Sequence, residues 1–309
     1  MAGIWIPKRL VEISLINLAA MQPQAFVRQC ETEYDRRLED TARAILASGR
    51  HLVMLTGPSG SGKTTSANRL AALLQQKGLP SQVISLDNFY LNGEDYPTLP
   101  DGSKDYESVY ALDIPCINRC LSQVVATGKT LLPQFDFARE LRKPQPVSLD
   151  IQGGVLIVEG IHAHNPILLG ELPPENAFRL YVGLREEYSY QGRRILPTRD
   201  VRLARRMVRD ARHRNRTPLQ TLAMWPGVCE NEDRCMRKYK PQADHILDTS
   251  FSYEIECLAS QLIALAAPYV QQEQGDAHKL QELIDDYSLC CVPMQQYLPR
   301  DSMLQEFFS

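Results

Sequence analysis

Apolar residues recur near every 3.6 positions through much of the first fifty residues. Phe26, Tyr34, Leu38, Ala42, Ile45 and Leu46 share one face, and Gly49 is a natural stop, so the pattern predicts helix. The period changes at His51-Leu52-Val53-Met54-Leu55-Thr56, a short apolar run of the buried-strand type. Thr64–Gln76 returns to helical spacing, with Leu70, Leu73 and Leu74 on one face and Gly78 as a cap. Further strands are predicted at Ser81–Leu86, Val155–Val158 and Arg179–Gly183. Strands that alternate with helices imply a parallel sheet joined by right-handed crossovers.

The stretch from Asp87 to Gly153 breaks this rhythm. It holds glycine, proline and tyrosine, the turn pairs Asn92-Gly93 and Asp101-Gly102, and short alternating pieces at Thr130–Phe137 and Val147–Ile151. It is predicted to be a β-rich insertion over the end of the sheet where ligands bind. The expected organisation is a helical extension (1–50), a central α/β domain (51–268) and a helical tail (269–309) joined through the polar Gln271–Gly275. Within the central domain the insertion covers about 88–153 and a lid about 190–220.

Composition adds limits. The 309 residues are 44% apolar and 23% charged, as in an ordinary globular protein. A net charge of −3 argues against wholesale nucleic-acid binding. No run of 18 apolar residues predicts a membrane span. Leu10–Met21 follows Lys8 and Arg9, but Glu12 and Asn17 interrupt it, so a signal peptide is not expected. The eight cysteines form no CxxC pair and suit reduced thiols, which makes the cytoplasm the expected address.

The chemistry begins between the first strand and the next helix, where Gly57-Pro58-Ser59-Gly60-Ser61-Gly62-Lys63-Thr64 forms a P-loop. Its glycines let backbone N–H groups cradle phosphates, Lys63 would reach the β- and γ-phosphates, and Thr64 would ligate Mg²⁺. Gly57, Ser59, Gly60, Ser61, Gly62, Lys63, Thr64 and Thr65 are the expected ATP-binding residues. Glu159 and Asp87 are each expected to end a strand, where an open parallel sheet binds its ligands. Both should face the terminal phosphate, with Glu159 near the metal; a capping role for Glu159 and an N-cap or turn role for Asp87 are the plainer alternatives. Arg193–Arg216 contains ten arginines and no lysine. Arg202, Arg205, Arg209, Arg212 and Arg216 recur at three- or four-residue steps beside Arg206, which suits a phosphate-clamping lid helix. A salt-bridged surface is the plainer alternative, because Asp200 and Asp210 lie among them. His162 and His164 could reach the site or serve as structural hydrogen-bonding residues. Trp5 and Trp225 read as packing. Phe307 and Phe308 would dock on the body or on a second copy of the chain.

From about His51 to Thr249 the chain resembles the uridine kinase-like branch of the P-loop kinases, related to phosphoribulokinase. The resemblance rests on the P-loop, Leu86-Asp87-Asn88-Phe89-Tyr90, Phe135-Asp136-Phe137, Val158-Glu159-Gly160 and the arginine stretch Asp200–Asp210. The ending Pro299–Phe307 is similar to the tail of bacterial nucleoside kinases that often carry an N-terminal TGS domain, for which the first 50 residues are too short. The resemblance implies a three-layer P-loop NTPase fold and Mg²⁺-dependent transfer from ATP to a nucleoside 5′-hydroxyl, with Asp87 as the base. Lys63, Arg202, Arg205 and Arg206 would stabilise the moving phosphoryl group. Tyr90, Tyr106, Glu107, Phe135, Glu140, Arg214 and Arg216 would line the acceptor side. Members typically have Asp where Glu107 stands, and Tyr and His where Phe135 and Glu140 stand, so the resemblance does not carry pyrimidine specificity with it. A sugar or sugar-phosphate kinase and a nucleotide-binding switch module remain the alternative expectations.

Overall fold

The computed structural model describes residues 6–99, 102–271 and 277–308. Trp5, Asp101 and most of Gln271–Gly275 lie outside them. The chain runs β1 (Arg9–Glu12), α1 (Ile13–Ala20), α2 (Pro23–Ser48), β2 (Leu52–Thr56), α3 (Lys63–Gln76) and β3 (Ser81–Ser85). Next come α4 (Ile114–Thr127) and four short strands, β4 (Lys129–Leu132), β5 (Phe135–Asp136), β6 (Leu141–Arg142) and β7 (Val147–Asp150). β8 (Val155–Glu159), β9 (Ala177–Gly183), β10 (Glu186–Tyr190) and β11 (Arg193–Leu196) lead to α5 (Thr198–His213) and α6 (Pro218–Cys235). β12 (His245–Asp248), α7 (Glu254–Gln271), α8 (Ala277–Tyr287) and α9 (Gln305–Phe308) complete the order.

Five parallel strands in the order β12-β9-β2-β8-β3 form the central sheet. Alternation along β2 splits its side chains between two cores. Val53 and Leu55 pack with α2, α3 and α7, whereas Leu52 and Met54 pack with α4. The result is the expected three layers, with β2 central and its carboxyl end feeding the P-loop.

Several boundaries differ from the sequence expectation. The first fifty residues are not purely helical: β1 pairs in parallel with β10, and α1 and α2 share one core with the sheet. A four-residue strand buried on one side only carries too little periodicity to be read. The insertion is not chiefly β, because α4 supplies a crossover helix between β3 and β8. Asp113 caps it by accepting from the Cys116 N–H at 2.9 Å, and Gly128 ends it at a φ of 72°. The same Asp113 binds Arg142 at 2.7 Å, which ties the β5–β6 hairpin down to α4. β3 stops at Ser85, so Asp87 sits in a short 3-10 turn (Leu86–Phe89) rather than on the strand. α5 stops at His213, before Arg214 and Arg216, so the arginine ladder is not carried by one helix. Among the described residues, no helix is long and apolar enough to cross a membrane.

Candidate active site

The P-loop takes its shape from close approaches that only glycine allows. Gly57 lies against the Val182 carbonyl, and Gly60 and Gly62 hold φ values of 71° and 78°. Beyond them the first turn of α3 presents N–H groups that have no partners within the helix, which is what makes the turn an anion site. A cavity of about 390 Å³ opens over this turn, lined by Ser59, Gly60, Gly62, Lys63 and Thr64. Ser61 points away and is held from beneath, where the Thr249 hydroxyl donates to its carbonyl at 2.8 Å.

Lys63 is half-buried and lines this cavity, with Nζ donating to the Pro58 carbonyl at 3.2 Å. Burial lowers its ammonium pKa, opposed by the attraction of Glu159, Glu306, Glu232 and Asp87. Thr64 Oγ1 donates to Glu159 Oε1 at 3.3 Å. Asp87 keeps solvent contact at the cavity mouth, yet the surrounding walls displace enough water to push its carboxyl up to about 6. Desolvation is the first cause; Glu159 and Glu107 add repulsion, and Lys63 opposes them. Thr64 and Glu159 are hard oxygen donors that line the cavity. This set fits Mg²⁺, which usually takes one or two carboxylates and leaves its other positions to water and phosphate. Among the described residues there is no cluster of three or more His, Cys, Asp or Glu side chains that could hold a metal by itself.

The arginines divide into three groups. Arg206, Arg209 and Arg214 line the cavity around the buried Asp210, which also lies 3.7 Å from Arg216. Arg206 further donates to the Ser59 hydroxyl at 2.9 Å. Arg202 is buried outside the cavity lining, so its expected contact with the moving phosphoryl group is not made; it forms a two-pronged ion pair with Glu232 at 2.7 and 2.9 Å and donates to the Ser59 carbonyl. Glu232 in turn accepts the Ser59 N–H at 2.8 Å, so α5 and α6 together clamp the crest of the P-loop. Arg205 is fully buried and spent on Glu254 at 2.6 Å, the Gly60 carbonyl and the Thr249 carbonyl. Its expected contact with the moving phosphoryl group is not what the structure shows. Helical spacing identified a face, but Arg205 sits where that face meets α7 instead of the ligand.

On the acceptor side Tyr90 and Glu107 line the cavity. The Glu107 carboxylate accepts from Asn231 Nδ2 at 2.6 Å, and burial raises its pKa against the pull of Arg206. Phe135, Tyr106 and Glu140 do not line it. Phe135 packs at a tilt against Tyr90 with ring centres 5.7 Å apart, and Tyr106 packs edge-on to Tyr96 at 5.2 Å. Glu140 turns the β5–β6 hairpin at a φ of 53°, with its carboxylate 3.8 Å from Lys104. His162 lines the cavity and is buried, with its imidazole pushed down to about 4, so it is neutral. His164 is structural, bonded through Nε2 to the Met54 carbonyl at 3.0 Å.

Three residues were missing from the sequence reading. Asn231 and Glu232 come from α6, which has no motif and reaches the P-loop only by folding back over it. Glu306 comes from the tail, where the segment Pro299–Phe307 was the available signal. Thr65 donates to Glu306 Oε2 at 2.6 Å, and Phe307 and Phe308 are buried against the body of the same chain.

A five-stranded parallel sheet with a P-loop at its centre, a neighbouring strand-end carboxylate and an arginine-rich helix over the loop define a P-loop kinase. Residues 52–167 match the model of the Phosphoribulokinase / Uridine kinase family. The chain is 28% identical over 167 residues to a uridine kinase of Deinococcus deserti, covering 54% of this chain and 72% of that protein. It is 25% identical over 175 residues to a uridine kinase of Ureaplasma parvum, covering 56% and 75%. A solved structure described as a possible uridine kinase from Bacillus stearothermophilus aligns at 19% identity with a TM-score of 0.48, over 70% of this chain and all of that one.

Proposed function

We propose that this protein transfers the γ-phosphate of ATP to the 5′-hydroxyl of a nucleoside. The observation that carries the reading is the Asp87 carboxyl, pushed up to about 6 and facing the same cavity as Lys63, Thr64 and Glu159. A carboxylate of that basicity, beside a phosphate cradle, suits removal of a proton from an incoming hydroxyl. The uridine kinase relatives supply the nucleoside as acceptor class.

In this reading the acceptor lies between Tyr90 and Glu107, with its hydroxyl on Asp87. Asp87 takes the proton as the oxygen attacks the terminal phosphorus. Lys63 and Arg206, with Arg209 and Arg214, face the charge that spreads over the transferring group. Thr64 and Glu159 would hold Mg²⁺, which when bound neutralises phosphate charge. Asn231 fixes the Glu107 carboxylate, and α6 screens the site from water. Arg209 and Arg214 also favour a second reading, an anionic sugar phosphate as acceptor, since an acceptor charge would meet cations already in the cavity.

The test is ADP formation from ATP and Mg²⁺ across ribonucleosides, deoxyribonucleosides and sugar phosphates. Turnover with nucleosides supports the first reading and turnover with sugar phosphates alone the second. No acceptor-dependent ADP from any of them would sink both.

A further inference from the structure

The C-terminal segment is part of the phosphate site. Met303, Leu304 and Phe307 are fully buried, and the Met303 thioether lies directly over Gly62, where any side chain would collide with it. The Phe307 ring sits under the Arg205 guanidinium at 4.9 Å, and Arg212 donates to the Phe308 carbonyl. Ser302 anchors the start of the segment, donating to Glu31 at 2.6 Å. These contacts aim Glu306, half-buried, into the cavity beside Lys63.

The position of Glu306 along the cavity follows from its neighbours. Asp87 lies two residues past Ser85, which pairs with Glu159, and Glu159 accepts from Thr64, whereas Glu306 accepts from Thr65. Thr64 and Thr65 are consecutive on α3 and diverge by about 100° around its axis, so Glu306 stands on a different side of the phosphate cradle from Glu159 and Asp87. A triphosphate whose terminal phosphate faces Asp87 and whose β- and γ-groups meet Lys63 must run its nucleoside end toward Glu306. There a carboxylate is a poor neighbour for phosphate and a good acceptor for the paired hydroxyls of a ribose. Thr65 donates to Oε2, and the Glu306 side chain lines the cavity.

We propose that Glu306 binds the ribose hydroxyls of the phosphate donor, so that the C-terminal segment selects a ribonucleoside triphosphate over its deoxy forms. This rests on the reading that ATP occupies the P-loop. The chain's own end thus forms the nucleoside wall of the donor site.

The experiment measures binding of ATP, 2′-deoxy-ATP, 3′-deoxy-ATP and inorganic tripolyphosphate, each with Mg²⁺, to the full chain and to Glu306→Ala and Glu306→Gln. Both variants should weaken ATP about tenfold and erase the penalty that the deoxy analogues show with the unaltered chain. Tripolyphosphate, which has no ribose, should bind both variants as well as before or more tightly. Thermal unfolding checks that the buried anchors still hold the tail. Equal tightening of ATP and tripolyphosphate would overturn the proposal and make Glu306 an electrostatic gate. Unchanged ATP affinity, or no deoxy penalty in the unaltered chain, would also overturn it. Failure of the unaltered chain to bind ATP would instead sink the reading of the P-loop donor, and this proposal with it.

Discussion

The two halves of the cavity are built from different materials. The donor half is mainly backbone: glycines at positive φ, the first turn of α3, and a lysine at a fixed offset from them. The acceptor half is four side chains from three separate places, Asp87 in a turn, Tyr90 and Glu107 in the insertion, and Asn231 on α6. Backbone geometry ties the first half to a contiguous string of eight residues. The second half exists only after chain segments more than a hundred residues apart are brought together. Phosphate capture should therefore survive many changes that abolish or redirect transfer.

The largest effect expected from this contrast is on Asp87. Asp87→Asn should lower kcat by roughly 10²–10⁴-fold while ATP still binds. Steady-state kinetics with parallel ATP titration checks it, and near-normal turnover would remove Asp87 as the base. The same change should not destabilise the fold at pH 7. The folded pKa is raised above the ordinary carboxylate value, so ionised Asp87 disfavours the fold as pH rises through about 6, and an uncharged amide removes that penalty. Melting temperature against pH for both forms reads this out.

Arg205 is the sharpest way to separate structure from chemistry. It faces Glu254 with both side chains fully buried, so Arg205→Ala should leave a lone carboxylate inside and cost about 3–5 kcal/mol of stability. A chemical denaturation curve measures it. Loss of turnover without loss of stability would return Arg205 to the moving phosphoryl group.

A smaller effect concerns pH. For the free enzyme, kcat/KM should fall about tenfold per pH unit below about 6, as Asp87 protonates and loses its ability to accept a proton. A flat profile from pH 5 to 7 would contradict this. The smallest effect is expected at Glu140, which lies outside the cavity: Glu140→Gln should change the preference among nucleosides by less than about twofold, as competition between two acceptors would show. A large shift would bring the β5–β6 hairpin back into base recognition.

Much of this was legible in the residues. The P-loop, the parallel sheet, Asp87 and Glu159 followed from local rules, because phosphate cradles and buried strands are properties of contiguous sequence. The arginine stretch was legible as a helix and as a charge reservoir, but not as to purpose. Its members at similar spacing went to the cavity (Arg206, Arg209), to a partner helix (Arg202 with Glu232) and to the core (Arg205 with Glu254). Helical periodicity gives the direction of a side chain about its own axis, not what stands opposite. Phe135 and Glu140 were misplaced for a related reason, since a two-residue strand and its turn carry no signal for which way the hairpin leans.

By itself, then, the sequence determined that this chain builds a glycine loop between a strand and a helix and sets carboxylates beside it, because both depend on short-range backbone geometry. Only the tertiary structure decided which arginines face the ligand, that α6 closes over the loop, and that Glu306 at the far end of the chain stands beside Lys63. Those choices depend on packing between distant segments, where burial and paired charge, rather than spacing, select the partner.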